Sequence, residues 1–132
     1  MEVPIDMPAA LAEWLTGRGV DAVPEPVPDN LMERLPLVVL RSSGGGRTWP
    51  VLDSHRVGVD AYGADATEAM DVARQAYALL DSMNVDYPPI GGVQTYGVGF
   101  GGLPQPQTDP QHQDAPMATF LCEVGCRAAH VD

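Results

Sequence analysis

One stretch of this chain, residues 65–83, keeps its apolar residues at helical spacing throughout. Ala69, Ala73, Ala76, Tyr77, Leu80 and Met83 share one face, with Glu68, Asp71, Gln75 and Ser82 opposite. It opens on Asp65-Ala66-Thr67-Glu68, which has the form of a capping box with Asp in place of Ser or Thr. Elsewhere 14 glycines and 13 prolines punctuate the sequence and leave short segments between them. With 132 residues there is room for one good core but not two. One long amphipathic helix among short, punctuated segments points to a single α+β domain over residues 1–132.

The remaining elements follow from local pattern. A first helix is predicted after Asp6, a capping residue, with Pro8 in its first turn. Met7, Leu11, Trp14 and Leu15 make its apolar face, and Gly17 and Gly19 end it. A short strand is expected over residues 20–23, then a proline-rich connection over 24–30 and one helical turn over 31–35. Leu37-Val38-Val39-Leu40 is apolar on both faces and reads as a central strand. It runs into Ser42-Ser43-Gly44-Gly45-Gly46, where three consecutive glycines predict a flexible loop or hairpin tip that carries Arg47 and Trp49. Strand alternation resumes near His55, with Val57, Val59 and Ala61 on one side and Arg56, Gly58, Asp60 and Tyr62 on the other. A strand is expected over residues 93–98, a long polar loop or arm over 99–116, and a last strand over 117–124. The sum is a mixed or antiparallel sheet of four to five strands, both helices packed on one face, with extended loops near 42–52 and 99–116. The other sheet face is left for something else to cover.

Charge excludes one class of function. Eighteen Asp and Glu stand against seven Arg and no Lys, a net charge of −11. Sequence-independent DNA binding needs many phosphate-neutralising cations, and this chain lacks them. The middle of the chain is the exception: Arg34, Arg41, Arg47 and Arg56 are opposed between residues 34 and 58 only by Asp53. A basic segment in an acidic protein suits contact between copies, although four scattered arginines can also be merely solvated. The first eight residues have neither the basic region nor the apolar stretch of a signal peptide, and no apolar run is long enough to span a membrane. The expectation is a soluble protein folding in a reducing cytoplasm.

Catalytic and cofactor chemistry finds little to rest on. His55, His112 and His130 lie far apart and lack metal-ligand spacing to any partner. Cys122 and Cys126 would share a strand face about 13 Å apart, too far for one ion. Cys122 alternates with Phe120 and Val124 and reads as a buried thiol. The glycine-rich stretches match no phosphate-binding pattern, and no carboxylate pair stands out as an acid and base. The expectation is a protein without catalytic residues, cofactor or metal. What remains is contact surface, with Arg41, Arg47, Trp49 and Arg56 as candidates for it. Arg and Trp are enriched at interface cores. Tyr96 and Phe100 are either contact residues or strand-end core.

The order and spacing of these segments resemble the tail terminator family of long-tailed bacteriophages. The resemblance is carried by the N-terminal helix ending in Trp14-Leu15, the strand Leu35-Pro36-Leu37-Val38-Val39-Leu40 running into the Ser-Gly-Gly-Gly loop, Pro50-Val51-Leu52-Asp53, the strand Arg56-Val57-Gly58-Val59-Asp60-Ala61-Tyr62-Gly63, and the helix at 65–83. It covers most of the chain, but residues 99–116 align with no motif. The resemblance implies a structural subunit that closes into a ring, commonly a hexamer, at the head-proximal end of the tail tube. Such a ring stops tube polymerisation and offers the head-joining surface. Its partners would be further copies of itself, the major tail tube protein and a head-completion or neck protein, with DNA passing through the lumen. Its place would be the virion, after assembly in the bacterial cytoplasm. The family has no catalytic signature to carry over. Another neck component, or a cellular α+β ligand-binding module, is compatible with the same size and composition.

Overall fold

The computed structural model describes residues 1–48 and 52–132. Helix α1 (Met7–Thr16) follows a two-residue strand, β1 (Glu2–Val3). Asp6 caps α1 by accepting from the Ala9 amide at 3.2 Å, and Pro8 occupies its first turn, as the sequence predicts. The chain then makes β2 (Ala22–Pro24), a single 3-10 turn (Leu31–Glu33), and the long antiparallel pair β3 (Leu37–Thr48) and β4 (Leu52–Tyr62). Helix α2 (Ala66–Asp86) comes next, then β5 (Thr95–Phe100), β6 (Gln105–Gln107), β7 (Met117–Arg127) and β8 (Ala129–His130). The box at the start of α2 forms in a shifted version. Asp65 accepts from the Glu68 amide at 2.8 Å, and Glu68 reaches back to the amide of Ala64 at 2.9 Å.

The main sheet is mixed and six-stranded, ordered β2-β3-β4-β7-β5, with β6 also on β7. Among the described strands of this sheet only β2 runs parallel to its neighbour. This is the expected α+β class with two helices, but with more strands than the four to five predicted. The extra strand, β6, lies in the segment expected as a loop or arm over 99–116. Residues 99–116 are not one long loop, because β5 reaches Phe100 and β6 pairs Gln105 with Thr119 and Gln107 with Met117. Strands β5 and β6 are thus two halves of one broken edge strand laid along β7. The glycine run at 44–46 is likewise in strand β3. The ladder absorbs it as a bulge between Ser42 and Gly45, where Gly44 and Gly45 take φ of 94° and 134°. At Gly45 a side chain is doubly barred, since a Cβ there would lie 1.9 Å from the Ser54 carbonyl oxygen.

Both helices pack on one face of the sheet. Leu11 and Leu15 of α1 and Ala73, Ala76, Leu80 and Met83 of α2 meet Val38, Leu40, Val57, Val59, Phe120 and Val124. The small residues of α2 bring its backbone close to the strands, and Tyr77 stacks with Phe100 and Phe120 at centroid separations of 4.0 and 5.4 Å. Among the described residues the second face is covered only at one end. There Leu31, Ala115 and the 24–36 connection pack on Leu37, Val39, Tyr62 and Met117. The Tyr62 hydroxyl donates to Asp109 at 2.8 Å, and His112 joins the same carboxylate at 2.8 Å, so the 107–116 segment is fastened to the sheet. Strands β1 and β8 form a separate small sheet that ties the two chain ends together.

Candidate subunit interface

Alternation along β4 and β7 assigns each residue to a face. Val57, Val59, Phe120 and Cys122 enter the helix-covered core, so Arg56, Gly58, Asp60, Leu121 and Glu123 lie on the other side. Beyond the small second cluster this side is open among the described residues. Its centre is polar: Asp60, almost fully buried, accepts from Arg41 Nε at 3.0 Å and from the Thr119 hydroxyl at 2.7 Å. The Arg41 guanidinium lies flat across the sheet because position 58 is glycine. A Cβ there would come within 2.2 Å of Arg41 Cζ. One row further on, Arg56 and Glu123 are cross-strand partners and both exposed, and Glu123 accepts the Ser54 hydroxyl. Arg56 forms no ion pair among the described residues.

Glycine floors the rest of this face. Gly99 pairs with Glu123, and a Cβ on Gly101 would lie 3.6 Å from Leu121 Cβ; Gly97, opposite Gly125 after a register shift, instead turns toward α2, where a Cβ would lie 3.0 Å from Asn84 Oδ1. Glycine inside strands leaves room for another backbone or a ligand to approach closely. Two adjoining hollows of about 490 and 390 Å³ share Gly101 and Leu121, the first bounded also by Arg41, Gln105 and Thr119, the second by Arg56 and Glu123. Leu103, 75% exposed, stands at the rim of the first hollow, and Tyr96, 52% exposed, stands beside Gly125.

The four predicted contact residues separate. Arg41 and Arg56 are both on the open face. Arg47 is not: it makes a two-pronged pair with Asp53, whose residue is 3% exposed, and donates to the Glu2 carbonyl at 3.0 Å. Arg47 therefore fastens the far end of the β3–β4 pair to β1. Trp49 lies outside the described residues. Arg34, the remaining member of the basic segment, pairs with Asp21 at 3.2 Å. Three of the four arginines are thus neutralised within the subunit, two of them by acids outside the segment, and the local basic excess does not survive folding as a positive patch. Sequence reasoning also missed Asp60 as an anchor. Its alternation with Val59 and Ala61 put it on the correct face, but no local signal links it to Arg41 or Thr119.

The titratable groups are mainly tied into the structure. The Arg47 hydrogen bonds hold the Asp53 carboxyl below the usual range, against its burial. Burial lowers His55, whose Nε2 is buried without a hydrogen-bond partner among the described residues. Burial pushes the Cys122 thiol up to about 12, and burial with the nearby Asp53 charge pushes Cys126 to about 11. Neither thiol has appreciable thiolate at neutral pH, so neither is poised as a nucleophile. Among the described residues no three His, Cys, Asp or Glu side chains gather as a metal site, and no helix is long and apolar enough to cross a membrane. No known family model and no curated protein matches this chain.

Proposed function

We propose that this chain is a ring-forming tail terminator subunit, a structural protein that caps the head-proximal end of a phage tail tube, stops tube polymerisation and presents the head-joining surface. The observation that carries this is the open half of the second sheet face. It is floored by Gly58, Gly99 and Gly101 and flanked by Arg41, Arg56 and Leu121. Both helices are on the opposite side of the sheet. Contacts made head to tail between unlike surfaces close into rings when the rotation permits. The acidic chain suits a lumen through which DNA slides without being held.

Negative-stain microscopy of the concentrated protein, alone and with purified tail tubes, tests the assignment. The expected result is rings with a DNA-wide hole and tubes capped at one end. Arg56→Glu with Leu121→Asp, both on the open face, should abolish rings and capping while leaving the monomer folded. Rings and capped tubes that survive this double substitution would refute the use of the open face. A wild-type protein that neither forms rings nor binds tubes would refute the terminator assignment itself.

One observation favours a second reading, a ligand-binding module. The hollow bounded by Arg41, Gln105 and Thr119 offers donors and acceptors beside Leu103 and Leu121. That protein would remain monomeric at high concentration and on tubes, and small polar ligands would raise its melting temperature.

A further inference from the structure

The two lateral edges of the main sheet carry similar pairs of devices that block strand addition at particular positions. At one edge is β2, parallel to β3. The Val38 amide bonds to the Asp21 carbonyl, so the intervening residue, Ala22, turns its own N–H and C=O outward. Both are taken by one side chain of α1: the Thr16 hydroxyl accepts from Ala22 N at 3.2 Å and donates to Ala22 O at 3.2 Å. The next outward position is Pro24, which has no N–H to offer. Where β2 stops, Glu25 continues the closure by accepting the Ser42 amide at 3.0 Å.

At the other edge β5 and β6 lie along β7. The Gly101 amide bonds to Leu121 O and the Arg127 amide to Gln94 O, so odd-numbered residues of β7 bond toward this edge. The partners of its even-numbered residues then face outward: Thr95 opposite Cys126, Val98 opposite Val124, Phe100 opposite Cys122 and Pro106 opposite Ala118. Two of these four, Val98 and Pro106, carry a closing device. The Asn84 amide of α2 takes both polar groups of Val98. Its Oδ1 accepts from Val98 N at 2.7 Å, and its Nδ2 donates to Val98 O at 2.9 Å. A carboxamide held in this way fills the place a peptide group of a further strand would occupy. Pro106 again supplies no donor.

We infer that Thr16, Asn84, Pro24 and Pro106 are edge plugs that keep the sheet from pairing with strands of other copies. An exposed edge is a template for open-ended strand addition, and a subunit that must associate by its faces gains from closing it. The inference holds whether or not the ring is a tail terminator.

Sedimentation velocity over a concentration series tests it on Asn84→Ala, Pro106→Val and the two combined, alongside the wild type. With the plugs removed, the combined variant should self-associate at a concentration about tenfold or more below any association of the wild type. Amide exchange at Val98 should be faster than wild type when this variant is dilute and slow as it concentrates. Pro106 is exposed and packs little, so Pro106→Val keeps the native fold and carries the test even where Asn84→Ala unfolds. Folded variants that sediment as the wild type does at every concentration would overturn the inference. Wild-type copies that bury the Val98 amide against one another would also overturn it, while leaving a ring intact as a reading.

Discussion

Strands β3, β4 and β7 serve two faces with alternate residues of the same segments, and the faces are built to different ends. On the helix side Val57, Val59, Phe120 and Val124 interlock with α1 and α2 and are essentially dry. On the other side the same strands present Arg56, Gly58, Asp60, Leu121 and Glu123, with only one end roofed by the chain's own loops. The first face stores the stability of the fold. The second keeps a rigid, shallow surface available, because the strands that form it are already fixed from behind. Disturbing the first should therefore cost stability, and disturbing the second should cost association.

The largest contrast is expected from Leu80→Ala. Leu80 is fully buried between α2 and the sheet, and its truncation should destabilise the fold by about 2–5 kcal/mol in urea titration. Asp60→Ala, at the polar centre of the open face, should cost less, about 1–3 kcal/mol, by leaving Arg41 and Thr119 without their acceptor. Asp60→Asn should recover part of that loss. An Asp60→Ala variant as stable as wild type would mean that the open face is not anchored through this residue.

Acid should act on the helix side, near the chain ends. The folded-state pKa values of Asp53 and His55 are both lowered, so the unfolded chain binds their protons first and stability falls as pH falls. His55 should contribute below about pH 6.5 and Asp53 below about pH 4. Unfolding free energy measured across this range should lose its upper step in His55→Gln and part of its lower step in Asp53→Asn. An unchanged profile in both variants would remove these groups from the acid response.

The sequence made one face far more legible than the other. Periodicity and capping residues identified α1, α2 and the helix-facing residues of β4, because burial against helices imposes repeating patterns on adjacent residues. The open face depends on pairs such as Arg41–Asp60, Asp60–Thr119 and Tyr62–Asp109, which are 19, 59 and 47 residues apart. Local pattern carries no trace of such pairs. The same limit made the Arg34–Arg56 segment look basic, since Asp21 and Asp60 neutralise two of its arginines from outside or across the strand. The stretch 99–116 has the composition of a loop or arm because glycine and proline lower strand propensity, yet residues 99–100 and 105–107 are strand. Pairing with β7, itself clamped by β4, overrides that preference.

Arg56 gives the smallest expected change in stability and the sharpest separation of the two faces. Its side chain is exposed, forms no ion pair among the described residues, and lies beside Glu123 without bonding to it. Surface substitutions away from caps, cavities and buried pairs change stability by no more than about 0.5 kcal/mol. Arg56→Ala should fall within that range by urea titration, yet shift self-association when sedimentation is followed against concentration, because a cation buried at a contact loses its partner on truncation. Leu80→Ala should show the reverse at concentrations where it remains folded, with lower stability and unchanged association per folded molecule. If Arg56→Ala leaves association untouched, the contact surface lies elsewhere. If it destabilises the monomer by as much as Leu80→Ala, the open face is structural, and the contrast between the two faces fails at its clearest point.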